Sequence, residues 1–140
     1  AEMAAAVEAA LPADAAVLAA AVADWTVEAA PGKLKKSGGP PALRWEKNPD
    51  ILERLATSER RPRLLGGVAA GPENGFGPAR DKREEKGADW MLANDVSNGI
   101  FGGEENEVHL ITAEGEEAWP RAGKAEIAER LAERIADALR

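Results

Sequence analysis

Three groups of residues place charge or polarity closely enough to do chemistry. Between Pro31 and Lys47, five cations (Lys33, Lys35, Lys36, Arg44 and Lys47) stand against one acid, Glu46. This gives a local balance of +4 in a chain whose formal net charge is −7. A compact positive stretch in an acidic protein suits a small anionic ligand, whereas general nucleic-acid binding favours a basic face. Lys82 and Lys86 stand four residues apart, which on a helix puts them on one face about 6 Å apart at Cβ. The third group is polar side chains that follow short apolar runs: Asp24, Gly71 to Asn74, and Asn94–Asp95. Each group has a plain alternative. The lysine run can be a solvated face, Lys82 and Lys86 can pair with Asp81 or Glu85 on a surface helix, and loops are polar whatever they bind. The single histidine, His109, alternates with Val108 and Leu110 and reads as a surface or satisfied side chain rather than a catalytic base. With no cysteine, disulfides and thiolate metal ligands are excluded, and a cytoplasmic setting is the default.

These groups need elements to position them. At 140 residues the chain suits one domain. Hydrophobic residues make up 44% and aromatics only 4%, so the core should be small aliphatic side chains with four tryptophans as the large exceptions. Trp25 and Trp90 are expected in the core or capping a sheet, Trp45 and Trp119 at a subunit contact. No apolar run approaches the roughly 20 residues that cross a bilayer, and no basic segment followed by an apolar one marks a secretory signal. The spacing of Met3, Ala6, Val7, Ala10 and Leu11 predicts a helix already under way at Ala1, so the chain reads as a piece of a longer protein. Ala15 to Ala23 reads as a strand buried on both faces, although alanine is a poor strand former and a helix stays open. A mobile loop from Pro31 to Pro41 and a short strand around Leu43–Trp45 follow. Asn48–Pro49–Asp50 is a helix start: Asn48 to cap, Pro49 with φ preset, Asp50 at the positive end of the dipole. That helix should run to about Ser58 with Ile51, Leu52 and Leu55 inward.

Leu64 to Ala70 and Asp89 to Asn94 read as further strands, with a polar helix from about Ala79 to Lys86 between them. Val108–Thr112 and Glu116–Trp119 form a hairpin. Ile127, Leu131, Ile135 and Leu139 mark a last helix. Alternating strands and helices predict an α/β, Rossmann-like fold: a mostly parallel sheet flanked by helices, with a C-terminal antiparallel hairpin and helix.

Taken in order, Ala21-Val22-Ala23-Asp24-Trp25, Lys33-Leu34-Lys35-Lys36, Asn48-Pro49-Asp50-Ile51-Leu52, Ala93-Asn94-Asp95-Val96-Ser97, Gly102-Gly103, Asn106, and Trp119-Pro120 before Lys124 form a series. Across essentially the whole chain it resembles the synthetase domain of the phosphopantothenate–cysteine ligases, usually the second half of a bifunctional flavoprotein. The resemblance implies coupling of 4′-phosphopantothenate to L-cysteine through an acyl-cytidylate made from CTP with Mg²⁺, in a homodimer. It implies that Lys33 is the catalytic lysine of a K-x-K-K loop that contacts the nucleotide. It also implies nucleotide contacts from Leu18, Ala19, Ala20, Asp24, Pro49, Asp50, Ile51, Leu52, Val68, Lys82 and Lys86. It assigns no Mg²⁺ ligands. Such chemistry needs positive charge placed where negative charge develops, which a lysine on a closing loop can supply.

Two departures stand out. Where the family reads G-F-A-A-E-T, this chain has Gly67-Val68-Ala69-Ala70-Gly71-Pro72, so Val68 replaces a phenylalanine and nucleotide affinity is expected to suffer. The family's glycine-rich phosphate turn, its S-S-G-K-like stretch and the asparagine of the cysteine-coupling step are expected upstream of Ala1. The flavin decarboxylase half is likewise expected outside this chain, so no FMN is expected here and the chain alone is expected to be inactive. Two rival readings remain: a non-catalytic dimerisation or binding fragment, and a nicotinamide-dependent oxidoreductase, which the lack of G-x-G-x-x-G disfavours. For the dimer, the hairpin from Val108 to Trp119, with Ile100 and Phe101 beside it, is the expected contact.

Overall fold

The computed structural model describes residues 2–71, 75–95 and 105–140. Helix α1 (Glu2–Ala9) leads to β1 (Ala15–Leu18), and β2 (Trp25–Val27) and β3 (Trp45–Lys47) form a separate ribbon. Then come α2 (Ile51–Ala56), β4 (Leu64–Gly71), α3 (Gly77–Lys86) and β5 (Trp90–Asp95). The chain ends with β6 (Glu105–Ile111), β7 (Glu116–Ala118), β8 (Ala122–Gly123) and α4 (Lys124–Leu139). The main sheet has the order β1-β4-β5-β6-β7, with β8 also on β6. β1, β4 and β5 are parallel; β6 joins β5 antiparallel, and β7 and β8 pair antiparallel with β6. This is the expected α/β sheet with its C-terminal hairpin and helix. Among the described residues no helix is long and apolar enough to cross a membrane.

β4 is uncharged from end to end, as a strand covered on both faces must be. Its parallel neighbours demand crossover connections, and right-handed crossovers running the same way place α2 and α3 on one face. There Leu65, Ala69, Met91, Ala93 and Ile111 meet Leu52 and Leu55 of α2, Ala79 of α3, and Leu11. Gly67 makes this approach possible, since a Cβ there would lie 2.8 Å from Leu52 Cδ2. On the opposite face Leu64, Trp90, Leu92, Val108, Leu110 and Trp119 are covered by Ile127, Leu131, Ile135 and Leu139 of α4. Arg134 forks onto Glu117 while its guanidinium lies 5.4 Å from the Trp90 ring, which pins α4 in place.

Several expectations change. The run from Ala15 to Ala23 is no interior strand: β1 stops at Leu18 and is only half-buried, because it forms the sheet edge with β4 alone beside it. Ala19 to Ala23 are exposed. In α1 Ala4 and Val7 face inward, followed beyond its end by Leu11, while Met3 and Ala6 face outward. The short strand expected at Leu43–Trp45 lies at Trp45–Lys47. Trp25 is 56% exposed on the ribbon rather than in the core, whereas Trp119 is buried within its own chain rather than held out for a subunit contact. The same correction applies to the hairpin. Val108 and Leu110 are covered by the chain's own α4, so they offer no apolar face to a second copy. Ile100 and Phe101 lie outside the described residues.

Helix α3 ends on Gly87, in the left-handed region at φ 71°, with Ala88 N–H donating to the Arg83 carbonyl at 3.0 Å. A Cβ on Gly87 would lie 3.2 Å from Ala56 Cβ, so the position is constrained twice. Gly87→Ala should lower unfolding free energy by about 1–2 kcal/mol. Gly32→Ala, in open space, should stay within about 0.5 kcal/mol of the parent in urea unfolding.

Candidate functional site

The chain leaving β1 and the chain entering α2 are joined by one residue, Asn48, through its backbone and its side chain. Asn48 N–H donates to the Asp24 carbonyl at 2.8 Å, and Asn48 Nδ2 donates to the Ala23 carbonyl at 2.7 Å. Asn48 is therefore not the helix cap expected of it. Asp50 caps α2 instead, its Oδ1 accepting from Glu53 N–H at 3.0 Å. α2 also ends early, at Ala56 with Thr57 as its C-cap, rather than at Ser58. The Asn48 bonds hold the start of α2 beside Ala23 and Asp24, and Leu52 of α2 shares a core with Leu18 at the carboxyl end of β1, where ligands gather in open α/β sheets. Ala19 and Ala20, small and exposed, leave the backbone open just beyond the strand.

The lysines of α3 approach the same place. Lys86 Nζ lies 2.6 Å from Asp50 Oδ2 and 3.9 Å from Glu53, so its partners lie on α2 rather than being Asp81 or Glu85. Burial alone would raise the Asp50 carboxyl, but the hydrogen bonds from Lys86 and from Glu53 N–H, with the charges of Lys86 and Lys82, hold it below its usual value. The hydrogen bond to Asp50 in turn lifts Lys86 above the ordinary lysine value. Lys82, one turn earlier, is exposed and forms no ion pair among the described residues. The Asp50 carboxylate already occupies the positive end of α2. A base edge or hydroxyl suits it better than a phosphate.

Other expected residues lie elsewhere. Lys33 is exposed between β2 and β3 and makes no hydrogen bond or ion pair with the described residues. The side chain of Val68 packs on the α4 face, opposite α2 and α3, so only its backbone can serve a ligand there. The expected loss of affinity from its smaller side chain therefore does not apply at this cluster. Asn94 and Asp95 end β5 at the level of Ala70 and Gly71. Pro72 to Asn74, Val96–Ser97 and Gly102–Gly103 lie outside the described residues. The clamp by Asn48 and the pairing of Lys86 with Asp50 have no signal in sequence spacing, because tertiary folding brings their partners together.

A mixed sheet with three parallel strands, flanked by helices, defines a layered α/β domain, and its polar residues collect at one strand's carboxyl end, where such domains hold ligands. The chain belongs to the family described as DNA/pantothenate metabolism flavoprotein C-terminal domain, which it matches over residues 1–139. It is 37% identical over 118 residues to the coenzyme A biosynthesis bifunctional protein CoaBC of Haemophilus influenzae, a match covering 83% of this chain and 30% of that protein. It is also 37% identical over 125 residues to the protein of the same name from Thermococcus kodakarensis, covering 87% of this chain and 30% of the relative. Among solved structures, the C-terminal domain of a coenzyme A biosynthesis bifunctional protein CoaBC superposes with a TM-score of 0.62 at 29% identity, covering 90% of this chain and 57% of the other. The chain thus spans under a third of the length of these sequence relatives.

The Lys86–Asp50 pair gives the fold a pH signature with two edges. A carboxyl lowered from 3.8 contributes stability above that value and loses it as pH falls through the lowered folded value. An ammonium raised from 10.5 contributes below that value and loses it as pH rises through the raised one. The Tm difference between the parent and Lys86→Met should therefore be flat from about pH 5 to about pH 9 and shrink on both sides. Thermal unfolding across pH checks this.

Proposed function

We propose that this chain is the nucleotide-contacting C-terminal part of an enzyme of coenzyme A synthesis that ligates 4′-phosphopantothenate to L-cysteine through an acyl-cytidylate made from CTP. The observation that carries the reading is the gathering of Asp24, Pro49 to Leu52, Lys82 and Lys86 at one strand end, in a chain whose relatives are named for coenzyme A biosynthesis. In this reading the open backbone at Ala19–Ala20 and the start of α2 receive the nucleoside, and Lys82 meets its phosphates. Mg²⁺, when bound, would screen the phosphate charge. Asp24, whose carboxylate is exposed, offers a hard oxygen to it. Lys33 sits on an exposed stretch that can close over a bound nucleotide. The working enzyme would be a homodimer in the cytoplasm. The upstream segment would supply the remaining phosphate-binding and cysteine-coupling groups, and the flavin decarboxylase would supply the preceding product.

CTP with Mg²⁺ should protect the chain against thermal unfolding, by about 2.7 kcal/mol at a hundredfold excess over Kd, while NADPH should not. Protection by NADPH and not by CTP would reverse the assignment. In the ligase that contains this chain, Lys33→Ala should cost on the order of 10²-fold in kcat, with stability changed by less than about 0.5 kcal/mol. Steady-state kinetics beside urea unfolding separates the two effects.

A further inference from the structure

The cluster at the start of α2 is self-neutralised in a particular way. Lys86 carries the cation that faces the site from below Lys82, yet its ammonium is held by Asp50 at 2.6 Å and approached by Glu53 at 3.9 Å. Both partners of the close pair are well shielded, with side chains 23% and 31% exposed. Asp50 is also anchored from its other oxygen, which takes the Glu53 N–H, so the carboxylate cannot swing away without uncapping α2. An anion that reaches Lys86 must therefore share the ammonium with a carboxylate that stays in place, and must sit beside its negative charge.

We infer that Asp50 is a specificity-determining residue: it competes with phosphate oxygens for the Lys86 ammonium, so that bare inorganic polyphosphate is excluded from the site. A nucleotide meets the same competitor but brings contacts that polyphosphate lacks, to the open backbone at Ala19–Ala20 and the start of α2. Its Mg²⁺ also reduces the repulsion from Asp50. The inference rests on the nucleotide reading above only in explaining why such exclusion is useful. The competition itself is a property of the pair.

The decisive variant is Asp50→Asn, because asparagine caps a helix about as well as aspartate and the fold should be kept. Binding of inorganic tripolyphosphate, without divalent ions and at low salt, is measured by titration calorimetry on the full chain and its variants. Asp50→Asn should raise the association constant by up to about fivefold, the scale of releasing one partly shielded ion pair. Adding Lys86→Gln should abolish the gain. Asp81→Asn, which removes the same charge from α3 without touching the Lys86 pair, should give much less. Circular dichroism confirms the fold of each variant. A folded Asp50→Asn that binds tripolyphosphate no better than the parent overturns the inference, and so does an equal gain from Asp81→Asn. If CTP gives the parent no protection while the Lys86-dependent gain is present, the competition stands and the ligase reading falls.

Discussion

Because β4 lies between two parallel neighbours, neither of its connections can be a tight turn. Each must cross a face of the sheet, and because the strands advance in one direction both crossings use the same face. That constraint brings α2 and α3 side by side on one apolar face of the sheet, where a residue larger than Gly67 would hold α2 off. Once they are adjacent, the cap of one helix and the last turn of the other come within an ion pair's reach. The opposite face is left to α4, whose apolar stripe closes the second core and whose Arg134 fastens it to the β7 strand.

The candidate site inherits its electrostatics from this packing. A cap carboxylate and a neighbouring glutamate sit within 4 Å of the Lys86 ammonium, so the start of α2 does not present the bare positive pole of a helix. Its polarity is set by a pair whose members each hold the other charged, the acid lowered and the base raised. A ligand there trades with an existing interaction, which makes geometry matter more than net charge. The acidic balance of the whole chain matters little at this range.

Periodicity made much of the architecture legible. The every-fourth-residue spacing of Ile127, Leu131, Ile135 and Leu139 and the uncharged run at Leu64–Ala70 marked their elements, because both are bound to a core and patterned by it. The alanine run misled, because alanine has no preference strong enough to say where a strand stops. Only the edge position of β1, a tertiary fact, explains its end at Leu18. Trp25, expected in the core or capping a sheet, stands exposed on the separate ribbon, and Trp119, expected at a contact, is buried in the core that α4 covers. At the site, the helix start at Asn48–Pro49–Asp50 was visible, but the division of labour was not. Two polar residues two positions apart both fit a cap, and Asn48 is claimed by carbonyls 24 and 25 residues earlier in the chain.

Alternation along β4 makes the sheet a partition between two nearly independent halves. Val68 belongs to the half that α4 closes and Ala69, the next residue, to the half that carries the candidate site. Neighbours in the chain are therefore strangers in space. A protein engineer could rebuild one side, exchanging the α4 stripe and the strand residues beneath it for a better-packed set, while the binding side kept its geometry. Natural drift has the same freedom, so the two faces of a single strand can accumulate change at different rates.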